Sequence, residues 1–308
     1  MRNENNPIDA DFIIIDEFSM VGIYLFKSFL NAVGDETKLL FVGDWNQLPS
    51  VEPGFLLHDL VNSDKFHYFE LSSTHRQKKD SSICINRDLI LEGKTELIQD
   101  SHFIIKRFHN DSEARMEAKR IFETLYDPVN YQKLHVITPQ QSGTIGVQGL
   151  NLLAQEIFHN ADEDHICYGE DCFYRFDKVM TVRNVYGDES YFNGNLWLVH
   201  DFCSEEMILS ADDDTNVHIH EDHYEDIALA YATTVHKYQG SEGEIIVIVL
   251  PSDVALSMIS RSILYTAVTR AIDKVIILSS ENMLERFITA DIHPQRNSGI
   301  VDKLEKIL

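Results

Sequence analysis

The 308-residue sequence predicts an α/β protein of two parallel-sheet units, the first incomplete, with a small β module inserted in the second. Three observations carry this prediction. Strand-sized apolar runs alternate with helix-patterned stretches along most of the chain, the pattern of a parallel sheet covered on both faces. Two of these runs end in acid, at Asp16 and Asp44, and ligands of open α/β sheets sit at such carboxyl ends of strands. Between residues 165 and 226 the alternation gives way to short strands joined by Gly-, Asn- and Asp-rich turns.

The elements follow in order. Residues 11–16 form a buried-strand pattern, and residues 21–32 carry apolar side chains at helical spacing, Val21, Tyr24, Leu25 and Phe29. A second strand over 38–44, a helix over 54–62 and a third strand over 67–71 complete the first unit, residues 1–100. A sheet of this kind has about five strands, so the remaining strands are expected upstream of Met1. The second unit, residues 101–164 and 227–308, begins with a strand over 102–108, a helix over 112–126, a strand over 134–138 and a helix over 146–159. The inserted module, 165–226, has short strands at 179–183, 196–200 and 207–209. The α/β pattern resumes at 230–239, with strands over 244–250 and 274–279, a helix over 260–271 and a final helix.

Composition narrows the class. The longest apolar run, residues 245–250, is strand-sized, whereas a membrane span needs about 18–20 residues. The N-terminus has no signal-peptide core, and the four cysteines form no dense framework, so a reducing cytoplasm is expected. The net charge of −24 repels phosphate at long range and disfavours loose non-specific DNA binding. It leaves room for a groove lined locally by Lys, Arg and backbone amides.

Several segments have the chemistry of a phosphoryl-transfer site. Phe12-Ile-Ile-Ile-Asp-Glu17 has the form of a Walker B strand: Asp16 is placed to hold Mg²⁺, a hard ion that takes oxygen ligands, and Glu17 to polarise an attacking water. Taken alone, it reads as an ordinary strand ending in two solvated acids. It is followed by Val42-Gly-Asp-Trp-Asn-Gln-Leu-Pro-Ser-Val-Glu-Pro-Gly54, then Ser72-Ser-Thr-His-Arg-Gln77, Thr233-Thr-Val-His-Lys-Tyr-Gln-Gly-Ser-Glu242 and Leu264-Tyr-Thr-Ala-Val-Thr-Arg-Ala271. In this order and context the segments resemble the motifs of RecD-like superfamily 1 DNA helicases.

The resemblance implies two RecA-like motor domains with an SH3-like insertion, the use of ATP and Mg²⁺, and 5′→3′ movement on single-stranded DNA. It implies that Gln47 senses the γ-phosphate, that Arg76 contacts the phosphates and that Arg270 is the arginine finger. Glu242 and Gly240 fall to the nucleotide, and Thr233, Thr234 and His236 to DNA phosphates. Ile137-Thr-Pro-Gln-Gln-Ser-Gly-Thr-Ile-Gly-Val-Gln-Gly-Leu-Asn151 resembles the family's backbone-contacting segment, which brings in Thr138 and Asn151. Asp177-Lys-Val-Met-Thr-Val-Arg-Asn-Val-Tyr186 and Phe192-Asn-Gly-Asn195 resemble the SH3-like insertion.

One part is missing. No Gly-x-x-x-x-Gly-Lys-Thr occurs, and Gly93-Lys-Thr95 lacks the first glycine, because position 88 is Asp. It reads as a helix end and turn. The phosphate loop is expected upstream of Met1, or on another polypeptide, and the chain alone is expected to bind ATP weakly. Two further clusters are weighed against plainer readings. His218, His220 and His223 invite a metal, but no cysteine pair has zinc spacing, Cys167 and Cys172 included, so a polar strand and turn accounts for the histidines better. Trp197, Tyr191 and Phe192 suit base stacking, and core packing suits Trp197 as well. Three functions stay open: a helicase motor remnant, half of a split motor, and an ATPase-inactive module binding single-stranded DNA or protein. Glu17, Gln47, Arg76 and Arg270 favour the first two.

Overall fold

A computed structural model of the chain describes residues 2–71, 80–160, 162–187, 190–203, 206–212, 215–292 and 299–307. The first unit holds strand β1 (Phe12–Ile15), a 3-10 turn at Phe18–Met20, helix α1 (Ile23–Leu30), strand β2 (Lys38–Phe41) and helix α2 (Leu56–Asn62). β1 and β2 pair in parallel, Phe12 opposite Lys38 through Ile15 opposite Phe41. The expected third strand does not form. Residues 67–71 are irregular and exposed, Phe69 at 95% and Leu71 at 90%. Their apolar content suits a strand, but a strand needs a hydrogen-bonding neighbour, and the described residues offer none there.

Helix α3 (Ser82–Leu91) is capped by Ser81, whose side chain accepts from the Cys84 amide. It ends at Gly93, which takes φ 74°, a left-handed position where glycine carries no Cβ penalty. Gly93-Lys-Thr95 is therefore the helix end and turn that its sequence suggests. α3 lies within residues 1–100, yet its Ile83 and Ile90 join the core of the second sheet.

The second sheet is fully parallel. β3 (Phe103–Phe108), α4 (Asp111–Leu125), β4 (Leu134–Thr138) and α5 (Val147–Phe158) precede the β module. α4 starts at Asn110, whose side chain accepts from the Glu113 amide, while Glu113 accepts from the His109 amide.

The module contains a hairpin of β5 (His165–Tyr168) and β6 (Asp171–Tyr174), then β7 (Lys178–Thr181), β8 (Leu196–Cys203), β9 (Glu206–Ser210), β10 (Asn216–His220) and β11 (Ile227–Leu229). Its five-stranded antiparallel sheet runs β10-β9-β8-β7-β11, so pairing of β11 with β7 carries it just past residue 226. Trp197 is buried here with Phe173, Val199 and Leu209, and its indole donates to Thr181 Oγ1 at 3.4 Å. Tyr191 is buried too, donating to Asp226 Oδ2 at 2.9 Å. Core packing thus claims both rings, and Phe192 remains exposed beside Tyr186. Cys167 and Cys172 are joined as a disulfide across the β5–β6 hairpin, a pairing the sparse cysteine count did not suggest.

The chain then returns to the second sheet with β12 (Ala232–Thr234), β13 (Gly243–Leu250), α6 (Arg261–Thr269), β14 (Ala271–Ser280), α7 (Met283–Thr289) and α8 (Ile300–Ile307). The order β12-β4-β13-β14-β3 puts β13 at the centre, buried almost throughout, as parallel strands covered on both faces are. One core cluster lies on each face of this sheet.

Candidate functional site

β1 leads into Asp16 and β2 into Asp44, both past the carboxyl end of the small sheet. Asp16 is exposed and accepts from the Glu17 amide at 2.8 Å. Glu17 itself sits at φ 49°, ψ 39°, a left-handed conformation that a non-glycine residue holds at a cost of about 1–3 kcal/mol. The turn is fixed on its far side, where the Phe18 amide donates to Val42 O at 2.8 Å. Asp16 offers hard oxygen donors of the kind Mg²⁺ takes.

Asp44 organises the next turn. It accepts from the Asn46 amide at 2.9 Å and from Gln47 Nε2 at 3.3 Å. From the other unit, Tyr265 donates its hydroxyl to Asp44 Oδ2 at 2.8 Å. Burial, reinforced by the Asp44 charge, pushes the Tyr265 phenol above its ordinary range, so it stays a donor. Gln47 faces Arg270, whose Nη2 donates to Gln47 Oε1 at 2.8 Å. Arg270 is 2% exposed and also donates to Ser241 O and Thr266 O. The Leu48 amide donates to Thr266 Oγ1 at 2.9 Å, and Gln239 Nε2 donates to Leu48 O at 2.9 Å. The turn at residues 44–48 is thus laced to α6 and to the 239–242 turn. Gly240 takes φ 83° in that turn, and Glu242 stands exposed beyond it, its carbonyl accepting from Tyr238.

The residues expected to meet DNA divide into two sets. Thr234 and His236 are half-buried, and His236 lines a cleft of about 230 Å³ with Met20, Leu25, Pro49, Val51 and Gln239. Thr233, Thr138 and Asn151 lie inside the fold. Asn151 bonds the β12 backbone at both ends of its amide, accepting from the Ala232 amide at 2.8 Å and donating to Ala232 O at 3.0 Å. Thr233 Oγ1 meets His135 Nε2 at 2.8 Å. His135 stacks on Tyr238 at 3.8 Å, and Lys178 Nζ lies 3.3 Å from His135 Nδ1 and donates to Leu134 O at 2.9 Å. Burial holds the Lys178 ammonium down to about 7. Burial, and then the Lys178 charge, holds His135 well below its ordinary range.

Arg76 and the rest of Ser72–Gln77 lie outside the described residues. Two site residues escaped the reading of the sequence. Tyr265 and Thr266 both fall within the motif that ends at Arg270, but nothing in the pattern told that they grip the opposite turn. The histidines of β10 hold acids, His218 with Glu206 at 3.0 Å and His220 with Asp222 at 3.5 Å, in keeping with a polar strand.

The chain is similar to known proteins along most of its length. An AAA domain model matches residues 4–106, and a UvrD-like helicase C-terminal domain model matches residues 229–278. The ATP-dependent RecD2 DNA helicase of Deinococcus radiodurans is 31% identical over 304 residues, covering 98% of this chain and 41% of that protein. The RecBCD enzyme subunit RecD of Haemophilus influenzae is 24% identical, over 99% of this chain and 56% of that protein. The chain therefore spans about half the length, or less, of these curated relatives. In fold, it is similar to a Pif1 helicase solved for forked double-stranded DNA unwinding, with TM-score 0.55 and 18% identity over 96% of this chain and 74% of that one. A Bacteroides Pif1 helicase in complex with ADP-AlF3 and ssDNA gives TM-score 0.54 and 16% identity over 97% of this chain and 75% of that one. In its ordered motifs, its α/β fold and its relatives alike, this chain is similar to the RecD-like superfamily 1 helicases.

Proposed function

We propose that the chain is the carboxyl-terminal part of a RecD-type motor that uses ATP and Mg²⁺ to move 5′→3′ on single-stranded DNA in the cytoplasm. Residues 1–100 form the end of its first motor domain, 101–164 and 227–308 the second, and 165–226 an SH3-like insertion. The observation that supports this reading best is the hydrogen bond from Arg270 to Gln47, which joins the two units at the end of the small sheet. Asp16 would hold the metal, Glu17 would orient the attacking water, and Gln47 and Arg270 would face the γ-phosphate. Arg76 would add a second guanidinium, and Gly240 and Glu242 would border the nucleotide. Mg²⁺, when bound, neutralises charge on the phosphates. Arginine suits the finger because its planar fork matches phosphate oxygens. Thr234 and His236 would touch the DNA backbone, with Thr233, Thr138 and Asn151 holding that surface from behind.

ATP binding by these 308 residues alone is expected to be weak, since they contain no Gly-x-x-x-x-Gly-Lys-Thr. A polypeptide segment carrying that loop would complete the site. Phe12, Ile14 and Leu40 leave one face of the small sheet apolar and open, and parallel sheets are normally covered. We expect ATP turnover by the chain alone to stay at background. Turnover well above background, abolished by Glu17→Gln, would overturn this. The net charge of −24 favours a second reading, a protein-binding module without ATPase. Fluorescence anisotropy with a single-stranded oligonucleotide separates the two. A motor remnant should bind, lose affinity steeply as salt rises and weaken in Thr234→Ala and His236→Ala; no binding at low salt favours the protein-binding module.

A further inference from the structure

The β5–β6 hairpin gathers three soft or borderline ligands on one face. Its register sets His165 opposite Tyr174 and Cys167 opposite Cys172. Side chains alternate along a strand, so His165, Cys167, Cys172 and Tyr174 share a face. Ile166 and Phe173 take the other face and pack into the core of the β module. One ring nitrogen of His165 and the two sulfurs lie within 4.8 Å of one another. None of these residues belongs to the helicase motifs.

Two features prepare the cluster for a metal. His165 Nδ1 lies 2.8 Å from the Glu163 carbonyl, which only accepts, so Nδ1 carries the proton and Nε2 keeps the lone pair. A carbonyl bonded to one ring nitrogen commonly fixes the tautomer of a histidine that binds metal through the other. The hairpin backbone is also anchored. Gln155 Nε2 donates to Cys172 O at 2.8 Å and to the buried Asp177 at 2.6 Å, and Asp177 Oδ2 accepts from the Tyr174 amide at 2.8 Å. Ligands on a fixed backbone lose little freedom on binding.

We propose that, in its dithiol form, the β5–β6 hairpin binds one Zn²⁺ through His165, Cys167 and Cys172, with the fourth position open to water. Two thiolates and an imidazole are the donor set that zinc takes, whereas Mg²⁺ prefers oxygen. The sulfurs joined as a disulfide are the same atoms, so the oxidised chain has no thiolates to offer. On binding, each thiol gives its proton to the buffer and no electrons move. This site is independent of the motor reading.

Cobalt titration of the whole chain tests it. The chain carries Cys203→Ser to remove an exposed thiol, and is reduced with a phosphine under inert gas. The expected result is a thiolate-to-cobalt charge-transfer band that saturates at one equivalent and is displaced by Zn²⁺. Cys172→Ser should abolish the band, and His165→Ala should weaken cobalt affinity by about tenfold or more. No band, a band that survives Cys172→Ser, or a smaller loss in His165→Ala overturns the proposal. The titration before His165 or Cys172 is changed decides whether metal binds at all, so a folding defect in either variant cannot mimic that failure.

Discussion

Arg270 ends α6 with its guanidinium sealed from water and shared between Gln47, Ser241 and Thr266. A buried charge is tolerable only when its donors are satisfied, so Gln47 stabilises Arg270 as much as Arg270 positions Gln47. The pair should therefore be coupled. Gln47→Ala and Arg270→Ala, combined in a double-mutant cycle, should show an interaction of about 1–3 kcal/mol in the urea unfolding of the first unit. Strictly additive losses would mean the contact contributes nothing. Much of this site was legible in the sequence, because Asp16, Glu17, Gln47 and Arg270 sit in ordered segments whose chemistry is specific. Its geometry was not. The left-handed backbone of Glu17 leaves no trace in residue type, since glutamate has no preference for that region. The grip of Tyr265 on Asp44 spans the two units and has no spacing to read. Cys167 and Cys172 failed a spacing test made for zinc loops; what joins them is a hairpin register, which sequence distance does not reveal.

At the scale of elements, the β module meets the second sheet through a buried chain of polar groups. Lys178 opens β7, His135 lies on β4 and Thr233 on β12. With the Lys178 ammonium donating to Nδ1, the neutral His135 ring carries its proton on Nε2 and donates it to Thr233 Oγ1. Any tilt of the module would pull on a strand expected to face DNA. Among the described residues no carboxylate bonds the Lys178 ammonium, and the Asp212 charge acts on it from a distance. Its folded pKa, about 7, lies below the ordinary lysine value because burial disfavours the charged form. Above about pH 7 the unfolded chain therefore binds more protons at this position than the folded one, and stability rises with pH up to the ordinary lysine range. Relative to Lys178→Met, the urea midpoint should climb between about pH 7 and about pH 10. A flat difference would show that water reaches the ammonium. The strands β7, β8 and β9 were readable from apolar runs and turn residues, and so was the parallel sheet, whereas the β5–β6 hairpin, β11 and β12 were not. The run at residues 67–71 misled because an apolar pattern records what a strand would bury, not whether a neighbour is there to pair with it.

Across the whole molecule the apolar cores are uneven. The second sheet has a large cluster on each face, and the β module has its own around Trp197. The first unit buries Phe18, Leu56 and Leu60, with Phe41 stacked on Phe18 and Phe26 edge-on to it, while Phe12, Ile14 and Leu40 face outward. Since burial of apolar area is the main favourable term in folding, the first unit should be the weaker part. The two tryptophans divide between the parts: Trp45 follows Asp44 in the first unit, and Trp197 lies in the core of the β module. Single-tryptophan variants, Trp45→Phe and Trp197→Phe, therefore report on the two parts separately. Urea unfolding should move the Trp45 signal at a lower midpoint than the Trp197 signal, and a polypeptide that covers the open face of the small sheet should raise the Trp45 midpoint alone. Coincident transitions would instead mean that the bonds from Asp44, Gln47 and Leu48 to Tyr265, Arg270 and Thr266 tie the units into one cooperative block, making the small core no weaker in practice than the large ones.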